Sequence, residues 1–463
     1  MDYSDFLQIE QFSHQKLGGF KPNSLFTRTV EAADLQPSNR MPFDAALPIH
    51  IHEYIHFLHN LSTPSGVVFL FNGLNFFFEF MRGTDHHGAY ESQSHPQGSA
   101  QAFLKIYSLL QGQLVGELPP PEVKIKCWEF GAPMTEKVPL TILDHKFDSF
   151  NKTCIDVKST SYYGSSYEFT LELGIHFITE GIAYEVDREN RRKIGAWNNL
   201  DEHTPAYPYL AYQPLIDSLV GRETSLYERI ILGTCALLEM SPGKGLLHAC
   251  EMLKTEKATY SRGFIEYVLE LKKSLELFRQ DLLNNVMPNM IYNFRGSNTL
   301  QAGVKEYLKL ISKSLAERCF TPFMELSFIH ITSPDVFFRK IADLVPQWIC
   351  QEKPNGKAEI SLIGHPDAVN VIDEVAISAL QSAFHYVQLH LKADGRIIGT
   401  KEIPRTHCPF SGGCQAQLQG DNLQVCNQAP WNTQFPEQDG IKNPTCFYNL
   451  GVRSLYYESS SSA

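Results

Sequence analysis

The sequence predicts an α+β fold that is mainly helical, built around a core that contains a small β-sheet. Three observations carry this. Apolar residues recur at three- and four-residue spacing from Tyr212 to Met252 and again from Gly263 to Leu344, the period of helices that bury one face. Alternation of apolar and polar residues is confined to short runs, Leu25 to Val30, Glu122 to Glu129 and Val138 to Leu143, as in half-buried strands. From about residue 396 the chain becomes rich in Gly, Pro, Asn and Gln and carries four of its ten cysteines, the composition of a loop-rich module. With 463 residues, 43% of them apolar, there is ample material for a large core and appendages. The chain divides on this reading into a core at 1–260, a helical domain at 261–395 and a cysteine-rich module at 396–463.

Taken in order, residues 1–43 are interrupted by Gly18-Gly19, Pro22, Pro37 and Pro42 and are expected to wrap the domain. A helix follows over about 46–62, ended by Ser62-Thr63-Pro64-Ser65-Gly66. The apolar stretch from Gly66 to Met81 contains Asn72, Asn75 and Glu79, too short and too polar to span a membrane, and reads as a second buried helix packed on the first as a hairpin. Gly83 to Gly98, with His86, His87 and His95, reads as an exposed loop. A helix near 100–114 precedes the two strands of the small sheet. Residues 353–370 look like a linker, and Asp373 to Leu391 like a further helix whose His385 and His390, five apart, lie on different faces.

The densest chemistry lies in His52-Glu53-Tyr54-Ile55-His56. Residues four apart on a helix stack on one face, so His52 and His56 can direct two imidazole nitrogens at one metal ion. Glu53 is rotated by about 100° from His52 and can reach a water at that ion without binding it. Ile51, Ile55 and Leu58 anchor the same helix. The segment Leu173 to Glu185 holds a second candidate, Glu180, followed by Gly181 and Ala183, small enough for two helices to approach closely. His176 shares the face of Glu180 and reads as a core histidine or a hydrogen-bond donor to a ligand. Glu185 lies on another face, as a surface carboxylate or one supporting a ligand, and Asp187 to Arg192 reads as charged and exposed.

An HExxH helix followed by a later helix with Glu-Gly-x-Ala resembles the gluzincin branch of the zincin metallopeptidases, a match over residues 46–62 and 174–187 only. The resemblance implies a zincin-like catalytic core in 1–260, with Zn2+ held by His52, His56 and Glu180 and Glu53 as general base. It further implies a selective endopeptidase acting on a protein or peptide through metal-activated water, with an exposed strand beside the site helix to align the substrate. The long interval between His56 and Glu180 implies an insertion or active-site wall. The metzincin branch would need Gly at 59 and His at 62, where this chain has His59 and Ser62. The segment from His203 to Tyr209 reads chiefly as a structural connection, with the alternative that it carries a phenol or imidazole over the site. A catalytically inactive zincin-fold scaffold is the other reading.

Cys408, Cys414, Cys426 and Cys446 sit in a segment too poor in apolar residues to fold on its own core. They point to a bound metal that supplies folding energy, a structural Zn2+ or an iron-sulfur cluster, with His407 as a substitute ligand; free thiols or disulfides are the other readings. The other cysteines, Cys127, Cys154, Cys235, Cys250, Cys319 and Cys350, are single and are expected as small core residues. A net charge of -11 without a long Lys/Arg run argues against nucleic acid as a partner. The acidic start Met1-Asp2-Tyr3-Ser4-Asp5 lacks the pattern of a secretory signal, so the expected setting is cytoplasmic, without membrane attachment, and with room for a regulatory protein partner.

Overall fold

The computed structural model describes residues 18–22, 25–30, 33–35, 46–91, 97–142, 145–196, 204–352, 358–363, 372–392, 396–406, 408–410, 421–433 and 446–456. His95, His203, His407 and Cys414 lie outside the described residues.

Helix α1 (Ala46–Ser62) is the axis of the fold. Every residue in it except Ile49 is buried, and Ile51, Ile55, Phe57 and Leu58 have 0% exposure. Burial of each such side chain contributes about 1.5–3 kcal/mol. A helix buried on all sides must pair its polar groups. Several are paired locally: Asn60 Nδ2 donates to the His56 carbonyl (3.1 Å), Ser62 Oγ to that of Leu58, and His50 Nε2 to that of Ala33 (2.8 Å).

Thr63 alone separates α1 from α2 (Pro64–Met81). It caps α2 by accepting the Gly66 amide, and Pro64 starts the new helix. The two axes meet at 78°, a corner rather than the expected hairpin, because a one-residue connection with proline at the first helical position leaves no length to reverse direction. Among the described residues no single helix is long and apolar enough to cross a membrane.

The described residues form two sheets, of which the first packs on α1. Strands β1 (Gly18–Lys21) and β2 (Phe26–Val30) join two distant strands, β8 (Gln347–Glu352) and β9 (Ala358–Ile363), in the order β1-β2-β8-β9. The pairings are antiparallel, parallel and antiparallel, with Phe26 opposite Trp348. Strands from both sides of residue 260 therefore share one sheet, and β9 occupies the middle of the stretch expected as a linker. The second sheet is antiparallel, made of β3 (Leu114–Gly116), β4 (Ile125–Phe130), β5 (Met134–Ile142), β6 (His145–Ser161) and β7 (Ser166–Glu172). It is larger than the two strands expected. It shares the interval between the HExxH and Glu180 segments with α2 and α3 (Gln97–Gln111), and it feeds directly into α4 (Ile175–Ile194).

Helix α3 (Gln97–Gln111) packs on α2, and α4 packs on α1. The helical half comprises α5 (Ala211–Val220), α6 (Leu226–Leu237), α7 (Pro242–Glu256), α8 (Arg262–Asp281), α9 (Met287–Asn293), α10 (Asn298–Phe320), α11 (Pro334–Asp343) and α12 (Glu374–His390). Of these, α10 packs on both α1 and α12. The C-terminal segment adds short α13 (Asp421–Cys426) and α14 (Phe447–Arg453), the latter seated on α12.

A buried ion pair fixes the end of α1. The Arg318 guanidinium and the Glu325 carboxylate are both 0% exposed and 2.6 Å apart. Arg318 also donates to Ser62 Oγ (2.8 Å), and His59 Nε2 meets Glu325 Oε1 at 3.1 Å. Among the remaining single cysteines, Cys235 and Cys250 are buried as expected, whereas Cys127 is exposed because it points outward from β4.

Candidate metal centre

The i, i+4 geometry of α1 brings His52 and His56 together, and α4 adds Glu180. His56 Nε2 lies 3.0 Å from His52 Nε2, and Glu180 Oε2 is 3.2 Å from His52 Nε2 and 3.3 Å from His56 Nε2. A tetrahedral ion with bonds of about 2.0–2.1 Å sets its ligand atoms roughly 3.3 Å apart. The three atoms therefore occupy one face of such a tetrahedron. Two nitrogens and one carboxylate oxygen are a donor set suited to zinc, and their side chains are only 10–19% exposed. Among the described residues this is the one group of three or more such ligands that converges.

His52 is oriented from behind. Its Nδ1 donates to Asp187 Oδ2 at 2.9 Å, leaving Nε2 to face the centre, the arrangement by which a carboxylate fixes the tautomer of a metal-binding histidine. Asp187 lies two turns beyond Glu180 on α4 and is 7% exposed, so the expectation of an exposed segment beginning at Asp187 is corrected. The pattern was present in the sequence as a second carboxylate seven residues from the first, on the same helical face.

Glu53 is buried beside the two histidines. The edge strand β1 presses on it: a Cβ on Gly18 would stand 3.0 Å from Glu53 Oε1 and 2.8 Å from Ile49 Cγ2, so a larger residue there would push these side chains aside. Phe20 of β1 meets Phe57 of α1 edge-on at 6.1 Å.

The turn Ala206–Leu210 delivers Tyr209 to the site. Its hydroxyl hydrogen-bonds to Glu180, and its ring is 6.1 Å from that of His52. The His203 to Tyr209 segment is thus more than a connection, for Tyr209 reaches the centre.

The charges are strongly coupled. Burial alone would lower the His52 pKa, but the hydrogen bonds to Asp187 and Glu180 outweigh it and raise it to about 10. Burial raises the Glu53 carboxyl, against the opposing effect of His52 and His56. Burial would also raise Glu180, yet His56 and His52 hold it well below the usual carboxylate range. The charge of Glu180 and then burial lift the Tyr209 phenol far above its ordinary value, keeping it a donor.

The remaining candidates fall elsewhere. His59 faces Glu325, not the centre. His176, in the first turn of α4, is exposed and so is not the core histidine expected. Glu185 is 1% exposed and forms a two-pronged pair with Arg229 (2.9 and 2.8 Å), which ties α4 to α6 instead of supporting a ligand. Gly181 accommodates Tyr212 of α5, whose ring would lie 2.2 Å from an added Cβ; its smallness serves that packing and not the approach of α1. His86 and His87 are exposed on a turn whose amides are held by Asp85. His385 bonds to Tyr448, and His390 to the Tyr386 carbonyl and Thr400.

Cys408, Cys426 and Cys446 are buried, but among the described residues they do not come together as a three-ligand group. The Cys408 amide donates to the Cys426 carbonyl at 2.8 Å, and Cys446 Sγ caps α14 by accepting the Asn449 amide at 3.4 Å. Cys414, the fourth of the set, is outside the described residues.

No protein-family model, curated protein or solved structure matches this chain.

Proposed function

We propose that the chain is a zinc-dependent peptidase, a hydrolase that cleaves peptide bonds in a protein or peptide substrate. The observation that carries this is the convergence of His52 Nε2, His56 Nε2 and Glu180 Oε2 within 3.0–3.3 Å of one another, with Glu53 one residue along the same helix. His52, His56 and Glu180 would hold the ion. Zinc supplies Lewis acidity there, acidifying water and polarising the scissile carbonyl.

The chain's own residues do the rest. Glu53, raised by burial, accepts the proton of the attacking water and passes it to the leaving amine. Tyr209 turns its O–H from Glu180 to the developing oxyanion. Asp187 keeps the His52 ring oriented. Strand β1 ends its sheet among the described residues, and its outer edge supports main-chain pairing with an extended substrate beside Glu53. The side chains of His52, His56 and Glu180 are only 10–19% exposed, which favours a selective endopeptidase over a digestive one.

The test is Glu53→Gln. Zinc content and thermal midpoint stay at wild-type values while cleavage of a peptide library is abolished; unchanged cleavage overturns the assignment.

A second, structural metal on Cys408, Cys414, Cys426 and Cys446 is a separate proposal. It is supported by the burial of the three described thiols and by the amide donated to Cys446 Sγ. Elemental analysis of a Cys408→Ser variant should show one ion fewer than wild type and tell zinc from iron.

A further inference from the structure

One stripe of α4 carries more than a ligand. Glu180, Tyr184, Asp187 and Arg191 follow at steps of four, three and four residues, which places them on one helical face. Arg191 Nε donates to Asp187 Oδ1 at 3.1 Å, and a second guanidinium nitrogen pairs with the same oxygen. The other carboxylate oxygen, Oδ2, receives His52 Nδ1–H.

Both partners are nearly enclosed, with side chains 12% and 10% exposed, unlike the exposed i, i+4 pairs that contribute only a few tenths of a kcal/mol. Arg191 is also held from its other side. Its guanidinium carbon lies 5.9 Å from the Tyr184 ring, Tyr184 packs on Tyr209 at 5.4 Å, and Tyr209 packs on His52 at 6.1 Å.

We propose that Arg191 is a positioning residue of the metal centre, acting through Asp187. A carboxylate held at one oxygen swings broadly about χ2. A planar guanidinium fork on Oδ1 removes that freedom and aims Oδ2 at His52, which fixes the ring rotation that presents Nε2 to the ion. This rests on reading His52, His56 and Glu180 as a metal site. The competing role is that of a plain cation at a helix C-terminus, since Arg191, Arg192 and Lys193 all lie in the last turn of α4. Arg192 separates the two roles: its side chain is 74% exposed and pairs with Glu189, so it shares the helix end and not the link to Asp187.

The experiment is competition with a chromophoric zinc chelator, reading the binding step that His56→Ala abolishes, beside thermal midpoints. Arg191→Gln raises the zinc Kd about tenfold, the lower end of the 10–100-fold range for groups behind metal ligands, and Asp187→Asn raises it further within that range. Asp187→Asn/Arg191→Gln binds zinc as Asp187→Asn alone does, because the arginine acts only through the aspartate. Arg191→Lys keeps the helix-end charge but lacks the fork, so it weakens zinc binding at an unchanged midpoint. Arg192→Gln leaves the Kd unchanged. A wild-type Kd in both Arg191 variants, or a double variant that loses the product of the two single effects, overturns this inference while the metal reading stands. Wild-type protein that takes no zinc at that step overturns both.

Discussion

Removing one partner of the buried ion pair at the end of α1 should destabilise the protein more than any single surface change. Arg318 and Glu325 are both 0% exposed and 2.6 Å apart, and His59 and Ser62 complete the network from α1. In Glu325→Gln the guanidinium keeps a neutral acceptor in place of its counter-charge. Uncompensated buried charge of this kind costs about 3–5 kcal/mol. Replacing both members by apolar residues of similar size, Arg318→Met with Glu325→Leu, removes the charge together with its partner and should recover most of that loss. The assay is urea denaturation followed by tryptophan fluorescence and far-UV circular dichroism. The pH dependence gives a second check. Burial would raise Glu325, but Arg318 and His59 hold it far below the usual carboxylate range. Its contribution is therefore present above about pH 4.3, the ordinary glutamate value, and is lost as pH falls toward the folded-state value. A loss below about 1 kcal/mol in Glu325→Gln, or a double variant weaker than the single, would refute the claim that this pair pins the end of α1.

Other perturbations probe the site and its packing. Tyr209→Phe should lower kcat about 10²–10³-fold with zinc content and KM nearly unchanged, as steady-state kinetics on a cleaved peptide would reveal. Gly181→Ala forces a methyl into the Tyr212 ring, 2.2 Å from its Cδ2, and should cost about 1–3 kcal/mol in the same denaturation assay. Because His52 is raised to about 10, the metal-free protein gains stability from its proton that is fully present below the ordinary histidine value near 6.5 and fades as pH rises toward 10. Zinc must displace that proton, so titration calorimetry in buffers of different ionisation enthalpy should register proton release at neutral pH and tighter binding as pH rises.

The histidine pair was legible because its signal is local, two imidazoles one helical turn apart. Glu180 was legible only through a resemblance, since no spacing rule joins residues on separate helices. Asp187 and Arg191 were misread because charge was taken for exposure, although their steps from Glu180 follow the helix period that justified His52 and His56. Strand β1 escaped notice because Gly18-Gly19 reads as a loop, although it pairs with nearby β2; that hairpin joins a sheet only through the pairing of β2 with β8, more than 300 residues away. β9 pairs locally with β8 in a hairpin, but its six residues are flanked by Gly and Pro, which made the stretch read as a linker. Tyr209 was open to either reading because the sequence could not tell which side of its turn faces α1. The mainly helical α+β character, in contrast, follows from periodicity that each helix carries within itself.

The central claim is that His52, His56 and Glu180 hold one zinc ion, and anomalous diffraction at the zinc edge from crystals grown with zinc addresses it directly. The expected result is an anomalous peak about 2.0–2.2 Å from His52 Nε2, His56 Nε2 and a Glu180 carboxylate oxygen. Zinc-saturated crystals with no peak between these three side chains would contradict it.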